Sequence, residues 1–262
     1  MARRALKSAP MTKAALITGG GVRVGAAIAR RLAADGWAVA LHYRASAQAA
    51  QAQAAEIMAA GGRACTVQAD LADWDACFGL VDAAAAGLGQ PLTGLVNCAS
   101  LFEGDAAQDF TQASWAMHMD ANLRAPCLLA QRFAAALPDG AEGAVVNIID
   151  QRVWKLTPQF FTYTLSKAAL FTATKTLAQA LAPRVRVNGV APGPTLRNAR
   201  QSEEDFARQA EATILGRGGS ADEVADAVAW LLQARAVTGQ MIAADGGQHL
   251  VWRTPDVDGI VE

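Results

Sequence analysis

Short apolar segments alternate with longer helical segments along almost the whole chain, and this alternation limits the possible folds more than any other feature. Strands are predicted at residues 14–18, 37–42, 63–68, 94–97, 144–149, 185–190 and 240–243. Helices are predicted at residues 24–35, 46–60, 73–87, 114–137, 160–181, 202–213 and 221–233. Such alternation requires right-handed crossovers, so it predicts an α/β fold with a doubly wound, mainly parallel sheet of about seven strands and helices on both faces.

Composition restricts the partners of the chain. The net charge of −1 argues against a generally basic, nucleic-acid-binding surface. No apolar stretch is long enough for a membrane span, and no CxxC pair or histidine cluster indicates a metal. Residues 1–13 are predicted to be a flexible basic tail without a secretory signal, and residues 14–262 a single domain in the cytoplasm. The cysteines are predicted to be free thiols: Cys65, Cys77, Cys98 and Cys127.

A glycine-rich turn, TGGGVRVG at residues 18–25, joins the first predicted strand to the first helix. Glycines let the backbone approach a pyrophosphate, and the start of the helix supplies N–H donors. The spacing is not GxGxxG, so a tight turn without a ligand remains an alternative. Asp70, directly after the third strand, favours a dinucleotide because its carboxylate can bind an adenine amino group.

The end of the second strand, HYRAS at residues 42–46, contains no acidic residue that would bind a ribose 2′-hydroxyl. Arg44 can instead face a 2′-phosphate with its forked donors, and Ser46 can add a hydroxyl. These residues predict NADP(H) as the cofactor, with a solvated surface arginine as the alternative.

Tyr163 and Lys167 are four residues apart in a predicted helix, which places both side chains on one face. An ammonium beside a phenol favours the phenolate, so the pKa of Tyr163 is expected to be lowered and its proton exchangeable near neutral pH. Asp150 directly follows the fifth strand. A carboxylate suits a substrate with N–H groups or a protonatable nitrogen, unless Asp150 only binds nearby backbone.

Together these motifs resemble those of the short-chain dehydrogenase/reductase family, over residues 14–248. The matching positions are Thr18-Gly19 with Gly25, Asn97 with Ala99, Asn122, Tyr163 with Lys167, and Pro192-Gly193. The resemblance implies a Rossmann-type fold, a homotetramer with an interface at helices 114–137 and 160–181, and a nicotinamide near Tyr163. It also implies that Lys167 binds the nicotinamide ribose and that Asn122 holds a water in a proton relay. A helix kink or a core asparagine is the alternative for Asn122.

Departures from the general family pattern resemble the pteridine reductase subgroup. Arg23 replaces a glycine of the turn, Cys98 and Ser100 interrupt the motif after strand four, and Asp150 stands where most members have serine. The resemblance implies reduction of a dihydropterin or a dihydrofolate-like substrate, with Tyr163 as proton donor assisted by Asp150. Phe102 is expected to cover one face of the substrate ring, with core packing as its alternative.

Two other functions remain open: a carbonyl or 3-oxoacyl reductase of the same family, and a non-enzymatic NADP(H) sensor. Residues 195–216 are expected to be a mobile lid, and Trp154, Phe160 and Leu196 to line the pocket. No metal is expected. The predicted residues are Asp150, Tyr163, Lys167 and Asn122 for catalysis; Thr18, Gly19, Gly21, Arg23, Val24, His42, Arg44, Ser46, Asp70, Leu71, Asn97, Ala99, Tyr163, Lys167, Pro192 and Gly193 for the cofactor; and Arg23, Ser100, Phe102, Asp150 and Tyr163 for the substrate.

Overall fold

The computed structural model describes residues 13–260 and contains one sheet of seven parallel strands. Their spatial order is β3-β2-β1-β4-β5-β6-β7, so the direction of winding reverses between β1 and β4. This confirms the predicted Rossmann-type, doubly wound sheet. The strands are β1 (Ala14–Ile17), β2 (Ala38–Tyr43), β3 (Arg63–Gln68), β4 (Gly94–Asn97), β5 (Gly143–Ile148), β6 (Val185–Pro192) and β7 (Met241–Ala244).

Helices cover both faces of the sheet, because the strands are apolar on both sides and each side needs a cover. Leu80, Leu129 and Phe133 belong to the core on one face, whereas Ile28 and Val228 belong to the core on the other. The helices are α1 (Arg23–Ala34), α2 (Ala47–Ala59), α3 (Trp74–Leu88), α4 (Gln112–Met119), α5 (Ala125–Ala136), α6 (Phe161–Leu181), α7 (Glu203–Glu211) and α8 (Ala221–Gln233).

The predicted single helix at residues 114–137 differs from the observed one. A five-residue π-helical segment, Asp120–Arg124, separates α4 from α5, and Asn122 lies in its middle. Hydrophobic periodicity does not reveal such a segment, because the chain stays helical on either side of it. The helix also begins earlier than predicted, at Gln112, because Thr111 and Ser114 form a capping box at the start of α4.

Four other features of the chain are the start of α2, the N-terminal residues, the cysteines and the length of the helices. Ser46 occupies the N-cap position of α2, although its side chain makes no capping hydrogen bond. Residues 1–12, most of the predicted tail, lie outside the described residues. The four cysteines are free, as expected. Between residues 13 and 260, no helix has the length and apolar character needed to cross a bilayer.

Candidate active site

A cleft of about 1310 Å³ lies along the carboxyl ends of the strands. Parallel sheets bind ligands at this edge, where the strand order reverses. The cleft extends from Arg44 and Ser46, past the glycine turn, to Tyr163 and Lys167. It is lined by every predicted site residue except Thr18, Asn97 and Asn122.

Thr18 and Asn97 lie behind the cleft wall and support it. The Thr18 hydroxyl accepts hydrogen bonds from the backbone N–H groups of Cys98 and Ala99, at 2.9 and 3.0 Å. The Asn97 amide donates to Asn147 Oδ1 at 2.8 Å, in the buried space between β4 and β5. Thr18 thus holds the loop after β4, and Asn97 joins β4 to β5. Cofactor binding by these two residues stays a prediction.

Asn122 is fully buried, and its amide group is saturated by protein partners. Its nitrogen donates to Leu101 O at 2.9 Å and to Ser166 Oγ at 3.1 Å. Its oxygen accepts from the Leu101 N–H at 2.9 Å and from Ser100 Oγ at 3.2 Å. An amide has two donors and two acceptor sites, so none is left for a water. The Asn122 side chain therefore has no free donor or acceptor, and the residue lies in the π-helical segment. Its part in a proton relay stays a prediction.

The glycine turn has the close packing that a phosphate cradle needs. A Cβ at Gly25 would lie 2.1 Å from the carbonyl oxygen of Gly19, so only glycine fits there. Gly19 itself has a φ of +66°. Gly19 and Gly25 both line the cleft at the start of α1, so the turn fits the pyrophosphate of a dinucleotide.

Arg23 has a left-handed backbone, with a φ of +52°, at the first residue of α1. Its guanidinium donates to the carbonyl oxygens of Leu196 and Arg197, at 3.0 and 2.9 Å. Arg23 therefore ties the glycine turn to the segment after β6, a contact that the sequence did not indicate. The side chain still lines the cleft.

The end of β2 fits the adenosine half of a phosphorylated dinucleotide. Buried His42 accepts the Gly19 N–H on Nδ1 at 3.2 Å and donates from Nε2 to Ala69 O, which joins the turn to the end of β3. Burial lowers the pKa of His42, so the ring is held neutral. Arg44, Ser46 and Asp70 are exposed on the cleft wall, where the two side chains from the β2 end can reach a 2′-phosphate.

Asp150 and Tyr163 form a directly hydrogen-bonded pair at the opposite end of the cleft. The Tyr163 hydroxyl donates to Asp150 Oδ2 at 2.8 Å, while Asp150 Oδ1 accepts the backbone N–H of Arg152 at 2.8 Å. Burial raises the pKa of Asp150 above its ordinary value, although the Arg152 N–H and the Tyr163 hydroxyl oppose the shift. The two groups therefore share one hydrogen-bonded proton.

Lys167 is buried behind this pair, and its Nζ donates to Ile148 O at 2.8 Å. Burial lowers the pKa of Lys167 to about 8. Burial first, and then the negative charge of Asp150, holds the pKa of Tyr163 well above its ordinary value. The expected lowering of the tyrosine pKa by the lysine is wrong here, because the ammonium faces a carbonyl and lies 5.8 Å from the ring centroid of Tyr163.

Aromatic rings form the wall beside Tyr163. Phe102 stacks on Phe160 with ring centroids 4.2 Å apart, and its ring meets Tyr163 edge-on at 4.7 Å. A substrate ring can therefore stack on only one face of Phe102 in this arrangement. Phe160 and Leu196 line the cleft as expected. Trp154 does not, because it packs against Phe171 and His249, so its prediction is corrected.

The segment predicted as a lid contributes cleft residues that no motif had indicated. Arg200 donates to Glu103 Oε2 and to Phe102 O, both at 2.6 Å, which joins this segment to the loop after β4. None of the residues of α7 is buried, so few apolar contacts hold it down. The amphipathic pattern of α7 is the sequence signal that could have identified its lining residues. The unanticipated lining residues here are Asn198, Arg200, Gln201, Asp205, Phe206, Arg208, Gln209 and Ala212.

The arrangement combines a dinucleotide-sized cleft with a proton-holding pair and an aromatic wall. Among residues 13–260, no group of His, Cys, Asp or Glu side chains is placed to hold a metal ion. The side chains at the inner end can bind a flat ring, exchange a proton with it and exclude water. This is the set of tasks that hydride transfer to a polar unsaturated bond requires of a protein.

Several known oxidoreductases share this architecture. Residues 21–249 match the family described as enoyl-(acyl carrier protein) reductase. FolM alternative dihydrofolate reductase 1 from Brucella suis, solved in complex with NADP, has a TM-score of 0.91 at 50% identity, with 94% of this chain and 98% of that chain covered. The Brucella canis protein, also solved with NADP, has a TM-score of 0.88 at 49% identity, with 94% of this chain and 98% of that chain covered.

Curated relatives are more distant. An uncharacterized oxidoreductase of Methylorubrum extorquens is 37% identical, over 90% of this chain and 97% of its own length. The 3-oxoacyl-(acyl-carrier-protein) reductase FabG of Staphylococcus aureus is 30% identical, over 92% of this chain and 99% of its own length. The chain belongs to the short-chain dehydrogenase/reductase family of oxidoreductases.

Proposed function

We propose that this protein is an NADPH-dependent reductase of a pteridine, either a dihydropterin or a dihydrofolate-like compound. The observation that carries the proposal is the hydrogen bond of 2.8 Å between the Tyr163 hydroxyl and Asp150. A carboxylate beside the proton donor disfavours a substrate that develops negative charge on oxygen, but it suits one with ring N–H groups. Half of the residues are identical in the NADP-bound Brucella suis protein called an alternative dihydrofolate reductase, which supports the same assignment.

Reduction of a ring C=N bond needs a proton at nitrogen and a hydride at the neighbouring carbon. NADPH, when bound, supplies the hydride. Tyr163 supplies the proton, and Asp150 holds the phenol in place and accepts a substrate N–H. Lys167 stays positively charged in the buried site as long as the pH is below its pKa of about 8. We therefore expect activity to fall above pH 8. Phe102 and Phe160 exclude water from the reacting atoms.

The direct test is a substrate comparison with the purified protein. NADPH oxidation would be followed with dihydrofolate, with an unconjugated dihydropterin, and with a panel of ketones that includes a 3-oxoacyl thioester. We expect kcat/KM for a pteridine to exceed that for every ketone by on the order of 100-fold or more, because the polar groups of the site are left unpaired by a ketone. Turnover confined to ketones would contradict the proposal.

The runner-up is a carbonyl or 3-oxoacyl reductase, which the similarity to the Staphylococcus aureus FabG favours. Asp150 weighs against it, since a carboxylate repels the oxyanion that forms when a ketone is reduced. A non-enzymatic NADP(H) sensor is the weaker alternative. It predicts tight NADPH binding with no turnover of either substrate class.

Arg44 gives the preference for the phosphorylated cofactor a specific test. We expect Arg44→Ala to raise KM for NADPH by roughly 10- to 100-fold, the value of a charge-assisted hydrogen bond of about 1.5–3 kcal/mol. KM for NADH should change little, because NADH has no 2′-phosphate. Steady-state kinetics with both cofactors measure this. An equal loss for both would show that Arg44 does not bind the 2′-phosphate.

We also propose a homotetramer of this chain in the cytoplasm, where its free thiols stay reduced. The family resemblance implies an interface at helices 114–137 and 160–181, and exposed apolar side chains on these helices support it. Trp115 on α4 and Leu165 on α6 are exposed in the single chain. Light scattering would show four times the chain mass.

A further inference from the structure

The catalytic helix α6 is capped by a residue from another part of the chain. Its own N-cap residue, Phe160, has a φ of +57° and makes no side-chain capping bond. Asp105, in the loop after β4 (residues 98–111), takes this role. Its carbonyl oxygen accepts the Phe161 N–H at 3.1 Å, and its Oδ1 accepts the Thr162 N–H at 3.0 Å. The first turn of α6, which contains Tyr163, is thus held by that loop.

A chain of hydrogen bonds continues from Asp105 into the protein interior. The Thr162 hydroxyl is bonded to Asp105 Oδ2, and His118 Nδ1 lies 2.7 Å from the same hydroxyl. His118 Nε2 lies 3.2 Å from the backbone nitrogen of Glu103, which donates to it. Both Thr162 and His118 are fully buried. Three elements therefore meet in one network: α4, the start of α6 and the loop after β4.

The two ends of this chain determine the direction of every hydrogen bond. A backbone N–H can only donate, and an ionised carboxylate can only accept. Thr162 must therefore give its single hydroxyl proton to Asp105, and His118 must carry its proton on Nδ1 and leave Nε2 free for the Glu103 N–H. His118 is consequently neutral, in one defined tautomer.

We propose that Asp105, Thr162 and His118 are positioning residues for the reaction at Tyr163. Their chain fixes the loop that carries Phe102 to the helix that carries Tyr163, and the Phe102 ring lies 4.7 Å from the Tyr163 ring. That these three residues position the site for pteridine reduction rests on the proposed function. The network holds the phenol and the aromatic wall in register, and a misplacement of about 1 Å can cost on the order of 100-fold in rate.

The network is intact only while His118 is uncharged. Burial lowers the pKa of His118 from 6.5, Asp105 and Glu103 act to raise it, and the Lys167 ammonium acts to lower it. For Asp105, burial acts to raise the pKa, but the hydrogen bonds from Thr162 and Ser114 together outweigh it and the pKa is lowered. A proton on Nε2 would face the Glu103 N–H and open the network. We expect kcat to fall in acid, below pH 6.5, as His118 becomes charged.

A matched pair of variants at one position tests the proposal. Thr162→Val has the same shape as threonine but lacks the hydroxyl, whereas Thr162→Ser keeps the hydroxyl. We expect Thr162→Val to lose about 10- to 100-fold in kcat with an unchanged Kd for NADPH, and Thr162→Ser to keep at least about half of the wild-type kcat. A merely structural role would lower Tm without changing the kcat of the folded fraction. Equal kcat values for Thr162→Val and the wild type would overturn the proposal.

Two further measurements keep the proposal falsifiable if Thr162→Val does not fold. The chain has three histidines, so ¹⁵N NMR of the wild type can assign the His118 tautomer, with His118→Gln as the assignment control. The proton is expected on Nδ1, and a proton on Nε2 would overturn the network. Asp105→Asn keeps both backbone caps but presents N–H groups to Thr162, so it should reproduce the loss of kcat. Wild-type kcat in that variant would also contradict the proposal.

These results separate the network from the proposed substrate. If the wild type reduces only ketones, the proposed function fails. The kcat values of the variants and the wild type are then compared with a ketone as the substrate. The chain has two tyrosines, so ¹³C NMR of labelled tyrosine reports on Tyr163 without any substrate. We expect the Tyr163 signal to shift in Thr162→Val and to stay in place in Thr162→Ser. An unmoved signal in both would mean that the network does not position Tyr163.

Discussion

Tyr163→Phe is expected to lower kcat by roughly 10²- to 10⁴-fold, the range that general acid catalysis supplies. Phenylalanine fills the same volume, so the ring contacts with Phe102 should persist while the hydroxyl is lost. NADPH binding should change little, because the turn at residues 18–25 and Arg44 are unaffected. Stopped-flow hydride transfer with a dihydropterin would measure the loss, and fluorescence titration would measure the Kd of NADPH.

The same variant also has a consequence for Asp150. The Tyr163 hydroxyl is one of the donors that oppose the raised pKa of Asp150, so its removal should raise that pKa further. Lys167→Met is a useful comparison, since it removes the buried ammonium but keeps the phenol. If Tyr163→Phe kept wild-type turnover, another group would have to be the proton donor.

Asp150→Ser is expected to change the type of substrate that the site reduces. A serine hydroxyl can donate to a carbonyl oxygen, whereas the carboxylate cannot. We expect pteridine turnover to fall by on the order of 100-fold and ketone turnover to rise from a low level. Parallel kinetics with both substrate classes give the ratio. A variant with unchanged pteridine kinetics would show that Asp150 only binds the Arg152 backbone.

Asp150→Asn is the matched control, because an asparagine has the shape of a protonated aspartate but cannot transfer a proton. Retained pteridine turnover in this variant would assign Asp150 to orientation, and its loss would assign it to proton transfer. Both variants remove the negative charge beside Tyr163, so the pKa of the tyrosine should fall. The pH dependence of hydride transfer would report this change.

Stability should follow pH in a direction set by the raised pKa of Asp150. The folded protein binds this proton more tightly than the unfolded chain does. The stabilisation is therefore complete below the unfolded pKa of about 3.8 and is lost as pH rises through the folded value. In Asp150→Ser this contribution is absent, so thermal unfolding of the wild type and the variant should diverge as pH rises.

The fold and most of the cleft could be predicted because they depend on local patterns. Apolar runs of strand length separated by helices specify a parallel sheet, and residues after those strands meet at one edge. For this reason Arg44, Asp70, Asp150 and Gly193 line the cleft as expected. The placement of Thr18 and Asn97 behind the wall could not be predicted, since a motif does not show which way a side chain points.

The sequence alone determined the doubly wound sheet, the glycine turn, the absence of an acid after β2 and the presence of Asp150, Tyr163 and Lys167. Only the tertiary structure decided the proton chemistry. The pKa of Tyr163 is raised because burial and Asp150 outweigh a lysine that faces a carbonyl group. The cap of α6 likewise comes from Asp105, which is 57 positions from Thr162 along the chain. Burial and contacts between distant segments set these properties, and neither is written in local sequence.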